Sequence, residues 1–571
     1  MSPKHARSNA ATVKKLPRAK QKCGDGSKAT KRPATKRPMM RKPSIRKPAA
    51  APVAAARRAG SARVPLPRRG QRCAVKRHRV SDSAPPGASS RREVLCALET
   101  LLMGMPSSAR ECFLDKLQNG VMLLTDYSGT GQAEYALMRL ALFAVDRGRE
   151  PKVHAARASD ISPACRRFLK GLCMEIPGLE LPKTCVMGDL VSRQSLPFRN
   201  ALITLTMDCR RRTSEPGPVD DSRRARFEAQ AAEKARKKWL AGVKAFIKRY
   251  PTNVDKASAT CSAHGQSCRV FPHHECGWIT LLIAGISCLD WSSRGLRGRT
   301  IGKGALAWAS FMRELMSYLP DIAILECTRS YMHEDLVAVT DAAYDTFPLV
   351  FSPTDVGIPS QRVRKYMVLL HRRGHLRWKA NCAIDGDRFI ALFGRKMACD
   401  GNVYFADTPG EAVRAELRKW CERRHLPQKD ADGRAFAFTD VLTRKQQVRF
   451  GEWTAFVKDR GADDSSNMIY DLAQHPQYGT LGSAIPALTR RNMPWSSCFG
   501  RPLIPLEKFE VQGIPVFSPA ATLGLDAAWP YVLHNTSSGV VNTLTGNAMH
   551  LAAIGLVLGY TFAFTENNIV E

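Results

Sequence analysis

Val121-Met122-Leu123-Leu124-Thr125-Asp126-Tyr127-Ser128-Gly129-Thr130-Gly131 is the stretch that decides the fold. Val121 to Thr125 is an apolar run of strand length, and Ala133 to Val145 continues with helical spacing. Between them, Gly129 and Gly131 let the backbone turn tightly and approach a ligand closely. The helix start that follows offers free N–H groups to an anionic end of that ligand. By itself, a Gly-x-Gly turn reads equally as a plain strand-to-helix connection.

Working outward, the same alternation recurs. Lys152 to Ala156, Thr184 to Met187, Ile279 to Ala284, Ile322 to Leu325 and Leu349 to Ser352 read as buried strands. Helices over Ser162 to Leu172, Ala305 to Tyr318 and Glu334 to Ala343 lie between most of them. Such alternation predicts an α/β protein with a doubly wound, mixed but mostly parallel, Rossmann-like sheet, whose ligands sit at the carboxyl ends of the strands.

The strand ends carry the chemistry. Gly188-Asp189-Leu190 follows the third strand and offers a carboxylate to an adenine amino group, or else forms a simple Asp turn. Gly285-Ile286-Ser287-Cys288-Leu289-Asp290-Trp291-Ser292 follows the fourth and sets Cys288 at the sheet edge. A buried cysteine is ordinarily an inert small hydrophobe, so its neighbours decide its meaning. Glu326 ends the fifth strand, where an acid is costly to bury unless paired or used. Alternation in Gly357-Ile358-Pro359-Ser360-Gln361-Arg362-Val363-Arg364 puts Arg362 and Arg364 on one side. Cys, Glu and two Arg are thereby expected on one edge.

In this order and wording the chain resembles the DNA (cytosine-5) methyltransferase family across about residues 115 to 565, outside its insertions. Tyr127 to Gly131 resembles the cofactor motif, Gly188-Asp189 the third motif, Ser287-Cys288 the nucleophile motif, and Glu326 the start of the Glu-Asn-Val motif. Arg362-Val363-Arg364 resembles the arginine motif. Arg501-Pro502-Leu503 through Glu507 to Gln512-Gly513-Ile514-Pro515 resembles the ninth motif, and Gly546-Asn547-Ala548 the tenth. The resemblance implies S-adenosylmethionine as cofactor, held by Tyr127, Ser128, Gly129, Gly131, Asp189 and Asn547. It implies that Cys288 attacks cytosine C6, Glu326 serves N3, Arg364 holds O2 and Arg362 supports the acid. Because C6 is shielded in a duplex, the base must be flipped out, which gives residues 376–490 a target-recognition role. Ser287, Leu289, Cys327 and Ser360 depart from the family pattern. The acid for the ribose hydroxyls falls at Ala158, with Asp160 its substitute.

The 571 residues, 44% of them apolar, suffice for two to four domains. The reading is a tail over 1–92, a catalytic domain over 93–375 with an insertion at 210–278, a recognition domain over 376–490, and closing motifs over 491–571. Residues 1–92 hold 27 Lys and Arg against Asp25 and Asp82, a net +25 of the chain's +36. So charged and aromatic-poor a stretch is expected to be disordered and to bind a phosphate backbone. Its Lys-Arg-Pro units resemble linker-histone tails and nuclear-import signals, which points to the nucleus; an Arg-rich, acid-poor start also fits an organelle transit peptide. DNA is the expected partner, with tRNA the rival substrate and a catalytically weak chromatin-binding protein the rival class.

No run reaches the ~20 apolar residues of a membrane span, Leu551 to Phe564 being too short. The 17 cysteines are scattered, which favours a reduced intracellular compartment. Cys261, His264, Cys268, His273, His274 and Cys276 crowd one part of the insertion. Four of them, Cys261, His264, Cys268 and Cys276 foremost, suffice for a tetrahedral zinc, yet their spacing matches no standard finger and also fits ordinary loop residues.

Overall fold

The computed structural model describes residues 80–170, 183–213, 221–273, 277–286, 290–291, 301–427, 436–459, 467–517 and 536–568. In chain order the elements are α1 (Arg91–Leu95), α2 (Ala97–Met103), α3 (Ser107–Asn119), β1 (Val121–Asp126), α4 (Gln132–Val145), β2 (Val153–Ser159), α5 (Pro163–Lys170) and β3 (Cys185–Met187). There follow α6 (Leu196–Thr213), α7 (Asp221–Arg249), β4 (Ser258–Thr260), β5 (Ser267–Arg269), β6 (Ile279–Gly285), α8 (Ala305–Tyr318), β7 (Ile322–Thr328), α9 (His333–Thr340), β8 (Tyr344–Phe351) and β9 (Arg364–His371).

Seven strands form one sheet in the order β3-β2-β1-β6-β7-β9-β8. Only β9 runs against its neighbours. This is the doubly wound, mostly parallel sheet expected from the sequence, and its strand order reverses between β1 and β6. Side chains alternate across it. Val121, Leu123, Ile279, Leu281, Ile283, Ile322 and Ile324 enter one core; Met122, Leu124, Leu282, Ala284, Ala323 and Leu325 enter the other. Both faces are therefore buried, which is why these strands read as unbroken apolar runs.

Helices α2, α3 and α4 cover the first face together with the C-terminal helix Leu551–Phe564. The stretch Ser538–Phe564 is long and apolar enough to cross a membrane, but 89% of its 18-residue apolar window is buried inside the protein. It is a core element here. The second face shows what the insertion does: α7 lies against α6, α8 and α9. Trp239 is fully buried, donates from Nε1 to Thr206 Oγ1 at 3.0 Å, and meets Trp308 with ring centroids 5.5 Å apart. The insertion thus completes a helical layer.

Two boundaries differ from the sequence reading. Chain packing begins before Arg92: Gly87 N donates to Lys396 O at 2.7 Å, Lys396 N to Pro85 O at 3.0 Å, and the buried Arg91 pairs with Glu510. Proline and serine around these residues give no apolar period, so their backbone anchoring was invisible. Helix Gly386–Phe393 sends Phe389 and Phe393 into the main core. A separate small core instead gathers Phe438, Leu442, Trp453, Tyr470, Trp495 and Ile504. Its strands Ile469–Asp471, Leu481–Gly482, Pro494–Ser496 and Arg501–Pro502 pair in one four-stranded sheet, past residue 490.

Candidate active site

The turn after β1 is held in an uncommon conformation. Tyr127, Gly129 and Gly131 all have positive φ, at 53°, 59° and 77°. Glycine takes this region freely, whereas a bulky side chain such as Tyr127 does so only where its surroundings enforce it. The enforcement comes from β2: Ser128 N donates to Ser159 O at 3.0 Å, Ser159 N to Ser128 Oγ at 2.9 Å, and Gly129 N to Asp160 Oδ2 at 3.0 Å. Behind the turn, Thr125 Oγ1 bonds Glu134, whose carboxyl burial pushes up to about 7.

Asp160 thus stands at the carboxyl end of β2, with Oδ1 accepting from Ser162 N at 2.7 Å. Burial raises its carboxyl above the usual range. Ala158, two residues earlier, is buried against Leu169 and Val186. Asp189 closes an Asx turn on Val191 N at 3.0 Å beyond β3. A Cβ placed on Gly129 would lie 3.6 Å from Asn547 O, so the C-terminal turn comes back over the glycine loop. Asn547 presents its backbone there, while its side chain accepts from Arg490 Nε at 3.3 Å.

At the carboxyl end of β7, Glu326 is buried with Arg364 Nε 2.8 Å and Arg362 Nη2 3.9 Å from its Oε1. Pairing of β7 with antiparallel β9, which sets Thr328 opposite Arg364, brings the two motifs together. Arg362 also donates to Ala548 O, and its own N–H donates to Ser352 Oγ at 3.0 Å. Next to β7, β6 ends at Gly285, and Ile286 N donates to Glu326 O at 2.9 Å. Cys327 Sγ lies 3.7 Å from Ile286 O, so this departure from the family pattern ties the two strand ends together. Ser287, Cys288 and Leu289 lie outside the described residues.

Three features escaped the sequence reading. Ile161, directly after Asp160, is 68% exposed, an apolar face open beside the glycine loop. His550 is buried, and its Nδ1 accepts from Ala553 N at 3.4 Å. Burial, then neighbouring Arg362, pushes its imidazole down to about 3, so it is neutral and its Nε2 has no hydrogen-bond partner among the described residues. Beneath the loop lies a closed ionic network: Asp126 with Arg157 at 2.7 Å and Arg193 at 2.9 Å, and Glu314 with the same arginines at 3.2 and 3.1 Å. Burial opposes the Asp126 charge, yet the two arginines outweigh it and hold that carboxyl below the usual range; at Glu314 burial prevails and raises it. Arg193 and Glu314 sit outside every motif: Glu314 is the one acid on the apolar helix α8, too slight a signal to read, and the loop around Arg193 gives none.

Of the metal candidates, Cys261, His264 and Cys268 come together, and the fourth group beside them is Cys185 of β3. His273 instead meets Arg269, while His274 and Cys276 lie outside the described residues. A cleft of ≈ 780 Å³ in the smaller lobe, lined by Glu452, Phe456, His475 and Leu481 among others, contains none of the candidate catalytic groups.

No protein-family model matches the sequence, and no curated relative does. Solved structures do. The S. pombe Dnmt2 methyltransferase is similar at 12% identity and a TM-score of 0.34, over 77% of this chain and 97% of its own. A prophage-encoded DNA modification methyltransferase from E. coli is similar at 11% identity and 0.37, over 78% and 99%. The Entamoeba histolytica methyltransferase EhMeth is similar at 11% and 0.31, over 78% and 98%. The fold itself is read from the strand order above.

Proposed function

We propose that this chain transfers a methyl group from S-adenosylmethionine to carbon 5 of cytosine in DNA, with Cys288 as the nucleophile. The observation that carries the reading is the meeting of Glu326, Arg364 and Arg362 at the carboxyl end of β7, beside the strand that leads to Cys288. The cofactor's requirements fit the residues at the β1 turn. Asp160 keeps acceptor capacity for ribose hydroxyls, since a carboxylate offers about four lone-pair positions and two are taken. Asp189 stands at the end of β3 for the adenine amino group, and exposed Ile161 gives the ring an apolar face. When bound, S-adenosylmethionine supplies an electrophilic methyl on a sulfonium.

Cytosine C5 is too weak a nucleophile to take that methyl unaided. The Cys288 thiolate adds to C6, and the electron pair displaced into the ring is met at N3 and O2. Glu326 holds the proton at N3, Arg364 donates to O2 and fixes the acid, and Arg362 positions the acid from its anchor on Ala548. C5 is methylated, its proton is lost, and elimination of Cys288 restores the aromatic ring. The smaller lobe reads the surroundings of the flipped base, and the basic tail tethers the enzyme to phosphates in the nucleus.

The test uses the purified chain with methyl-labelled S-adenosylmethionine and 5-fluorocytosine DNA or, separately, tRNA. A covalent adduct with DNA, lost in Cys288→Ala, is the expected result. An adduct with tRNA alone moves the activity to RNA, and none with either, while cofactor and DNA still bind, overturns the catalytic reading.

A further inference from the structure

We propose that Cys185, Cys261, His264 and Cys268 form a structural zinc site that staples the β4–β5 hairpin of the insertion to the edge strand β3. The site joins two parts of the chain that the sequence separates by 76 residues from Cys185 to Cys261. All four ligand atoms lie within 4.8 Å of one another. His264 Nδ1 is 3.5 Å from Cys185 Sγ, 3.4 Å from Cys261 Sγ and 3.4 Å from Cys268 Sγ. A thiolate at ~2.3 Å and an imidazole nitrogen at ~2.0–2.1 Å from one tetrahedral zinc are about 3.5 Å apart. The imidazole therefore already stands at the coordination spacing from all three sulfurs.

The backbone is arranged to hold them there. Cys261 and Cys268 flank the hairpin turn, where Cys261 N donates to Gln266 O at 2.8 Å and Gly265 N to Cys261 O at 2.9 Å. The hairpin docks on β3 through Ser262 N to Val186 O at 2.7 Å, and Val186 N donates to Cys261 Sγ at 3.3 Å. An N–H aimed at a sulfur favours the thiolate that zinc requires. Four protein ligands close the coordination shell, the mark of a structural rather than a catalytic zinc.

The hairpin also needs such a staple. Its strands are three residues each with none of those residues buried, and an isolated two-stranded hairpin is marginal in water. Pairing with β3 additionally covers an edge of the main sheet. Asp189 lies four residues beyond Cys185, so the metal also fixes the loop that receives the adenine; this last consequence rests on the cofactor reading above.

Elemental analysis of the purified full chain is expected to give about one zinc per chain. Cys185→Ser and Cys268→Ser should each lose most of it, His264→Cys should keep it, and Cys165→Ser, outside the cluster, should be unaffected. Replacement by cobalt should give the visible d–d bands of a tetrahedral ion with thiolate charge transfer. Chain purified under reducing conditions with no zinc, metal retained in Cys185→Ser, or a Cys261–Cys268 disulfide would each overturn the proposal. Weakened S-adenosylmethionine binding in the zinc-free variants supports the positioning of Asp189. Unchanged binding removes that consequence and leaves the site standing, since zinc content is read independently of methyl transfer.

Discussion

Two pairs of arginines, each with one member fully buried, stand near the carboxyl ends of the central strands, and they differ in how their charge is matched. Arg157 and Arg193 share two carboxylates, Asp126 and Glu314, each arginine touching both acids. Arg362 and Arg364 share the single carboxylate of Glu326. The first set is neutral as a whole and faces inward, under the glycine turn. The second carries a net positive charge among the described residues, at the strand edge where a ligand enters an open α/β sheet. A balanced cluster holds structure together, whereas an unbalanced one is prepared for electron density that arrives with a substrate.

The largest effect expected is on the balanced set. Asp126→Asn removes one of two carboxylates from a network that water cannot reach, and breaking a buried pair in this way costs about 3–5 kcal/mol. Denaturant unfolding should show that loss. Activity per folded molecule should fall far less. Next comes Glu326→Gln, which keeps the shape of the acid and removes its charge. Methyl transfer should drop by roughly 10²–10³-fold, the range for losing one preorganised group at a developing charge. Unfolding free energy should change by less than half as much as in Asp126→Asn. If the two variants behaved alike in both measurements, the distinction between the clusters would fail.

The same contrast explains what could be read from the sequence. The strand ends were legible because an apolar run stopping at a glycine, an acid or a cysteine is a local signal, and β1, β6, β7 and α8 lie where their periods put them. The convergence of Glu326 with Arg362 and Arg364 was legible too, since alternation fixes a side and β9 fixes the register. Arg193 and Glu314 were not, because their partners are distant in sequence and their own neighbourhoods are ordinary helix and loop. Cys185 was missed as a companion of Cys261 for the same reason: it sits inside a strand that reads as pure core. Spacing rules find ligands on one loop and are blind to one supplied across a sheet edge.

The smallest effect concerns Ile161, which belongs to neither cluster. Nothing in the fold requires an isoleucine there, since 68% of it faces solvent. In Ile161→Ser the unfolding free energy should therefore stay within about 0.5 kcal/mol, as for surface positions generally. If a purine ring covers this side chain, the apolar area withdrawn from water is worth roughly 1 kcal/mol at ~25 cal/mol per Å². KM for S-adenosylmethionine should then rise about fivefold with kcat nearly unchanged, because the contact is equal in ground and transition states. A fall in kcat at constant KM would instead put Ile161 on the nucleic-acid side of the cleft, and with it shift the division between the cofactor's strand ends and the base's.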